Sequence, residues 1–121
     1  GRGLMNPARL FLYVLAAFGV LLVLRMILRL RGLPAEKVAD LKAAGAQVVD
    51  VRTRAEFASG HAAGSINIPL DQLESRLGDL DRGRPVLVCC ATGSRSAFAQ
   101  SLLQRAGFTD VHNAGPWQRV R

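Results

Sequence analysis

A chain of 121 residues with half of its side chains hydrophobic has room for one domain of ordinary size and a short appendage, which excludes a second core. The formal net charge of +7 is uneven: residues 1–33 hold Arg2, Arg9, Arg25, Arg29 and Arg31 with no acid, for +5, while residues 34–121 hold eleven basic and nine acidic side chains, for +2. A nucleic-acid binder would carry its basic stripe on the folded part, where the charges here nearly cancel, so the high pI argues for no nucleic-acid partner.

The first predicted element is a hydrophobic helix within residues 1–33. Leu10 to Leu24 is an unbroken run of apolar or small residues, and after Arg25 it resumes as Met26-Ile27-Leu28. As a helix the run from Leu10 to Leu28 reaches about 28 Å, close to the roughly 30 Å hydrocarbon core of a bilayer. Spanning requires Arg25 to snorkel, and Arg25 with Arg29 forms an i, i+4 pair whose stems can follow lipid tails. A signal peptide would fit the run, but Arg-Met-Ile-Leu-Arg-Leu-Arg follows it instead of a small-residue cleavage site. A buried helix of a larger core is the third reading. The segment is read as a membrane anchor through residues 10–28. Arg25, Arg29 and Arg31 outnumber Arg2 and Arg9, which places the following domain in the cytoplasm by the positive-inside rule. The alternative is a periplasmic or secreted domain after signal cleavage.

Leu33-Pro34 marks the boundary of a second unit, residues 34–121, because Pro suits a first helical turn and the charge pattern changes there. Residues 35–44 read as a helix with Val38 and Leu41 on its apolar side, ended by Gly45. Gln47 to Val51 reads as a short strand. Thr53-Arg54-Ala55-Glu56 has the spacing of a capping box, so a helix begins there and stops near Gly60. Ser65 to Ile68 is a second short strand closed by Pro69, and Asp71-Gln72-Leu73-Glu74 caps a helix running toward Asp79 or Leu80. Pro85 to Cys89 is an apolar, β-rich run that reads as a central buried strand. Ser96 to Ala106 follows as a helix with Phe98, Leu102 and Leu103 inward and Gly107 as its stop. Asp110 to His112 is a last strand, after which Gly115-Pro116 turns the chain into a stub containing Trp117, read as core filling. This alternation predicts an α/β fold, an open and mostly parallel sheet flanked by helices, with ligands beyond the carboxyl ends of the strands.

Cys90 falls at such a strand end. The only other thiol, Cys89, is its neighbour and points to the opposite face of the strand, which excludes a disulfide framework and leaves too few ligands for a tetrahedral metal site. No cofactor is expected. His61 and His112 read as structural, and Cys89 as a small buried hydrophobe. The loop after Cys90 is Ala91-Thr92-Gly93-Ser94-Arg95. Its small side chains, with a Gly that tolerates positive φ, let successive amides turn inward as an anion nest, reinforced by the dipole of the following helix. Such surroundings lower a thiol's pKa and make it nucleophilic. The planar fork of Arg95 suits an oxyanionic substrate.

The stretch Cys90-Ala91-Thr92-Gly93-Ser94-Arg95-Ser96 resembles the Cys-x-x-Gly-x-Arg-Ser loop of single-domain rhodaneses, the sulfurtransferases. The likeness continues in order through Asp50-Val51-Arg52, Glu56-Phe57 with Gly60-His61, Gly64-Ser65-Ile66-Asn67-Ile68-Pro69, and Gly107-Phe108-Thr109-Asp110-Val111. It covers residues 34–121 and leaves 1–33 aside. The resemblance implies a rhodanese-like sheet in which Cys90 carries sulfane sulfur as a persulfide and Ala91, Thr92, Gly93, Ser94, Arg95 and Ser96 bind the substrate. Asp50 and Arg52 form a supporting ion-pair shell, and His61 braces its turn. The implied partners are a small anionic donor such as thiosulfate, or a persulfide, and a thiol or cyanide acceptor. Thiosulfate-active members often carry a second basic residue beside the cysteine, and Arg95 is the only cation here, which implies weak thiosulfate turnover and a preference for persulfide donors.

Competing readings differ in class. Counted from Cys89 the loop is Cys-x5-Arg, the spacing of cysteine-dependent phosphatases, but the Gly three residues after the nucleophile fits Cys90, and no carboxylate in or beside the loop supplies a general acid. Arsenate reduction on the same scaffold is another enzymatic option. A membrane-tethered, non-catalytic anion-binding module is the third, and the intact Cys90 and Arg95 argue against it.

Overall fold

The computed structural model describes residues 3–121, the side chains of residues 29–31 excepted. Helix α1 spans Pro7–Arg31. It starts where the Asn6 side chain accepts a hydrogen bond from the Ala8 amide at 2.9 Å and Pro7 occupies the first turn, where its missing N–H costs nothing. Its apolar side chains from Leu10 to Leu28 are exposed. The stretch Pro7–Leu28 is long and apolar enough to cross a membrane, a profile that membrane anchors and signal sequences share. The expected roles of Arg2, Arg29 and Arg31 lie outside the described residues.

The rest alternates strands and helices: α2 (Ala35–Ala43), β1 (Gln47–Asp50), α3 (Arg54–Ser59), β2 (Ile66–Asn67), β3 (Val86–Cys90), α4 (Ser94–Arg105) and β4 (Val111–Pro116). The four strands form one parallel sheet in the order β2-β1-β3-β4. With β3 paired on both sides, its residues are buried throughout, as continuous apolar strands of parallel sheets require. Period-two alternation splits the core. Val49, Val86, Val88 and Cys90 pack with Leu73, Ala99, Leu103 and Phe108 on one face. Val48, Leu87 and Cys89 pack with Val38, Leu41, Ala114 and Val120 on the other. The two thiols therefore face opposite layers, as the strand pattern requires.

Three expectations are corrected. The segment after Pro69 is not one capped α-helix but two 3₁₀ segments, Leu70–Gln72 and Glu74–Asp79, without a side-chain cap. Burial of Leu73 at the joint, a non-helical Arg76 (φ −117°) and Gly78, a poor helix former, keep the run in short i→i+3 turns. Helix α4 begins at Ser94 rather than Ser96. Its inward stripe is Ser96, Ala99 and Leu103, spaced i, i+3, i+7, which leaves Leu102 half-buried and Phe98 56 % exposed. Finally, β4 continues through Gly115 and Pro116 instead of turning at them. A register shift between Val88 and Cys89 accommodates the extra residue, as a bulge does, and Gly115 adopts φ +81°. A 3₁₀ turn, Trp117–Val120, follows and buries Val120.

The segment between α1 and α2 is docked on the sheet. The Leu33 amide donates to Asn113 O at 3.0 Å, and Arg119 donates to Leu33 O and to Ala114 O at 2.8 Å. Gly32, at φ +81°, lies so close to β4 that a Cβ there would meet Ala114 C at 2.4 Å.

Candidate functional site

The site is assembled where β1 and β3 end. Val88-Cys89-Cys90 closes the central strand, and Gly93, at φ +108°, reverses the chain into α4. That conformation is open to glycine and strained for other residues. The turn wraps the Cys90 sulfur. Gly93 N donates to Sγ at 3.0 Å and Ser96 N at 3.4 Å, and the Ser96 hydroxyl lies 3.4 Å away. Cys90, Gly93 and Ser96 are buried, whereas Ala91, Thr92 and Ser94 are exposed. The Thr92 and Ser94 hydroxyls pair at 3.2 Å on the rim.

Electrostatics in this cradle run against burial and win. Desolvation pushes the Cys90 thiol up, but the Ser96 hydroxyl and the amides of Ser96, Gly93 and Thr92 stabilise the thiolate more, so the net shift is downward. Hydrogen bonds to the ionised form favour it. Ser96 has one hydroxyl hydrogen for two acceptors, Sγ and Gly93 O at 3.1 Å. A thiolate takes that hydrogen; a thiol donates to the hydroxyl and leaves it to Gly93 O. One residue away, Cys89 has the opposite fate, its thiol raised by burial and then by the Asp50 charge.

Asp50 and Arg52 form a buried, bidentate pair, with Arg52 Nη2 2.7 Å from Asp50 Oδ2 and Nε 3.0 Å from Oδ1. The same guanidinium donates to Gly60 O at 2.7 Å and Glu56 O at 3.3 Å and lies 4.7 Å from the Trp117 ring centroid. The pair thus fastens the C-terminal carbonyls of α3 to the end of β1. Trp117 is half-buried and packs against the core on the Cys89 face of the sheet, as expected, while Arg52 and Arg121 lie over its ring, each 4.7 Å from the centroid. His61 braces its turn: Nδ1 is 2.8 Å from Phe57 O, and the ring stacks on Phe57 at 3.8 Å.

Arg95 is not where the loop alone places it. Its fork grips Glu56, Nη1 to Oε1 at 2.6 Å and Nη2 to Oε2 at 2.9 Å. The expectation of no carboxylate beside the loop is therefore overturned: α3 delivers one from thirty-nine positions upstream. Glu56 also completes the capping box, accepting from the Thr53 amide at 3.2 Å while its own amide donates to Thr53 Oγ1 at 3.2 Å. The hydrogen bond from Arg95, followed by that from Thr53, lowers the Glu56 carboxyl to about 2. Such an acid holds no proton to give near neutrality. The sequence signal for this residue is Glu56-Phe57, which the spacing assigns to a capping box and the resemblance to a family helix, neither of which points to Arg95. Two clefts flank the loop. One is lined by Val51, Thr53, Arg95 and Phe98 among others, the second by Leu28, Gly32, Thr92, Pro116 and Arg119 among others.

Comparison with known proteins agrees with this geometry. The family model described as rhodanese-like domain matches residues 34–114. Thiosulfate sulfurtransferase 16, chloroplastic, of Arabidopsis thaliana is 39% identical, over 60% of this chain and 70% of that protein. The Bacillus subtilis protein YqhL is 40% identical, and the match spans 56% of this chain but only 54% of that protein. Among solved structures, a rhodanese-related protein from Thermoplasma volcanium superposes with a TM-score of 0.64 at 34% identity, covering 74% of this chain and 89% of that one. The chain belongs to the rhodanese-like domain family.

Proposed function

We propose that the chain is a sulfurtransferase in which the Cys90 thiolate takes sulfane sulfur from a donor and holds it as a persulfide. The carrying observation is the inward convergence of the Gly93 and Ser96 amides and the Ser96 hydroxyl on Sγ. Relatives named thiosulfate sulfurtransferase support the same reading. Cys90 attacks the outer sulfur, the donor's remainder leaves as an anion or thiol, and an acceptor such as a thiol or cyanide removes the sulfur and restores the thiolate. Preorganised amides stabilise the negative charge in both half-reactions without rearranging. Ala91, Thr92, Gly93, Ser94, Arg95 and Ser96 line the approach to Cys90, and Asp50 with Arg52 supports it from below.

The phosphatase reading gains no general acid from Glu56, whose carboxyl Arg95 and Thr53 lower to about 2. A non-catalytic anion-binding module predicts no turnover. Sulfite release from thiosulfate with cyanide as acceptor separates the two: turnover abolished in Cys90→Ala and retained in Cys89→Ala supports transfer, and turnover surviving Cys90→Ala refutes it. We also read α1 as an anchor dividing the chain at residue 33, with the domain on the cytoplasmic side. On that reading, the cleft shared by Leu28 and Thr92 supports a position of the loop close to the bilayer surface. Release of the chain from membranes by alkaline carbonate would refute the anchor.

A further inference from the structure

Arg95 is the only cation in the loop, and its fork is in use. Both terminal nitrogens donate to Glu56, at 2.6 and 2.9 Å, and Glu56 is itself held in place. Its carboxylate accepts from the Thr53 amide at 3.2 Å and the Thr53 hydroxyl at 3.1 Å. Its carbonyl accepts from Arg52 at 3.3 Å, and Arg52 is locked to buried Asp50 at 2.7 Å. The thiolate of Cys90, by contrast, rests on the Ser96 hydroxyl and three amides. Stabilising the sulfur and recognising a charged leaving group are thus carried by different atoms of one loop.

From this separation we infer that Glu56 is a specificity-determining residue. By occupying the fork of Arg95 and fixing a negative charge beside the loop, it selects against dianionic donors such as thiosulfate and favours persulfides whose leaving group needs no cation. The inference rests on the sulfurtransferase reading above. With thiosulfate, the Cys90 thiolate forms a bond to the outer sulfur, the S–S bond of the donor breaks with its electron pair, and sulfite leaves as a dianion. With a persulfide R–S–SH, the same attack breaks the S–S bond toward the monoanion R–S⁻, which takes the proton from the transferred sulfur and leaves as R–SH, so that Cys90 is left as a persulfide anion. Only the first pathway must place two negative charges next to a carboxylate. Like charges in close approach repel, and Glu56 already neutralises Arg95, whose end-on pair of donors is taken.

Glu56→Gln is the direct test, because glutamine at the third helical position preserves the capping box while removing the charge. Initial rates are measured with thiosulfate and with cysteine persulfide as donors. The expected result is a KM for thiosulfate lowered about fivefold, the upper range for a partly exposed ion pair, with kcat changed less than KM. Adding Arg95→Ala to Glu56→Gln returns that KM to the level of the unaltered protein, which a merely structural role for Glu56 does not produce. A folded Glu56→Gln protein with an unchanged or higher KM for thiosulfate overturns the inference. The unaltered protein gives a second test: a lower KM for monoanionic methanethiosulfonate than for thiosulfate is expected, and the reverse order overturns the inference. Persulfide formation on Cys90 with an unmoved KM defeats this inference alone. No persulfide from any donor defeats the sulfurtransferase reading with it.

Discussion

Replacing Ser96 by alanine removes one hydrogen bond from the Cys90 sulfur and leaves its amide contacts in place. The hydroxyl lies 3.4 Å from Sγ, and it is the first of the groups that hold the thiolate down against burial. A hydrogen bond to a charged acceptor contributes about 1.5–3 kcal/mol. The long distance and the surviving amides place Ser96 at the lower end, about 1.5 kcal/mol, or roughly a tenfold loss of thiolate on the rising limb of its titration. The fold is little affected, because Gly93 O keeps the Ala97 amide at 3.0 Å and Asn113 Nδ2 at 3.3 Å as donors. The assay is the rate of iodoacetamide alkylation at Cys90 against pH, read by peptide mass so that Cys89 is scored separately. In the unaltered chain the rate rises and levels off at lower pH than for a free thiol, about 8.5, because the thiolate is the reactive form and its midpoint is depressed. Ser96→Ala moves the rising limb to higher pH, and Cys89 stays unreactive in both. An unmoved limb, or one displaced to lower pH, refutes the assignment of the hydroxyl as a thiolate donor.

Two further substitutions probe the frame around the loop. Arg52→Met strips buried Asp50 of its three side-chain hydrogen bonds from Arg52 and leaves an uncompensated charge, so urea unfolding followed by Trp117 fluorescence should show a loss of about 3–5 kcal/mol; a loss below about 1 kcal/mol contradicts the proposed support. Gly32→Ala forces a Cβ to 2.4–2.6 Å from the backbone of Ala114 and Asn113 at φ +81°, a strain of about 1–3 kcal/mol. Limited proteolysis between residues 28 and 34 then accelerates several-fold, and an unchanged cleavage rate shows that the segment is not docked as described.

The parts of the fold that follow from local chemistry were readable from the residues. The Thr53–Glu56 capping box, the continuous apolar run of β3 and the opposite facing of Cys89 and Cys90 each depend on neighbours in sequence, and each is present in the structure. Where reading failed, the deciding contact was distant. Phe98 and Leu103 are both large and apolar but lie about 140° apart around the helix, and only packing against the sheet determines that Leu103 turns inward and Phe98 outward. The extension of β4 through Pro116 depends on pairing with Cys90. Arg95 matched an anion clamp because its loop contains no acid, yet its partner is supplied by α3 across the site. Local sequence specified the nest around sulfur, made of backbone amides, whereas the pairing of the guanidinium is a tertiary property.

The most direct measurement is the intact mass of the protein after brief exposure to cysteine persulfide, before any acceptor is added. The account predicts a gain of one sulfur that maps to Cys90, disappears in Cys90→Ala, persists in Cys89→Ala and is discharged by cyanide with release of thiocyanate. A chain that gains no sulfur, or that gains it equally without Cys90, contradicts the account.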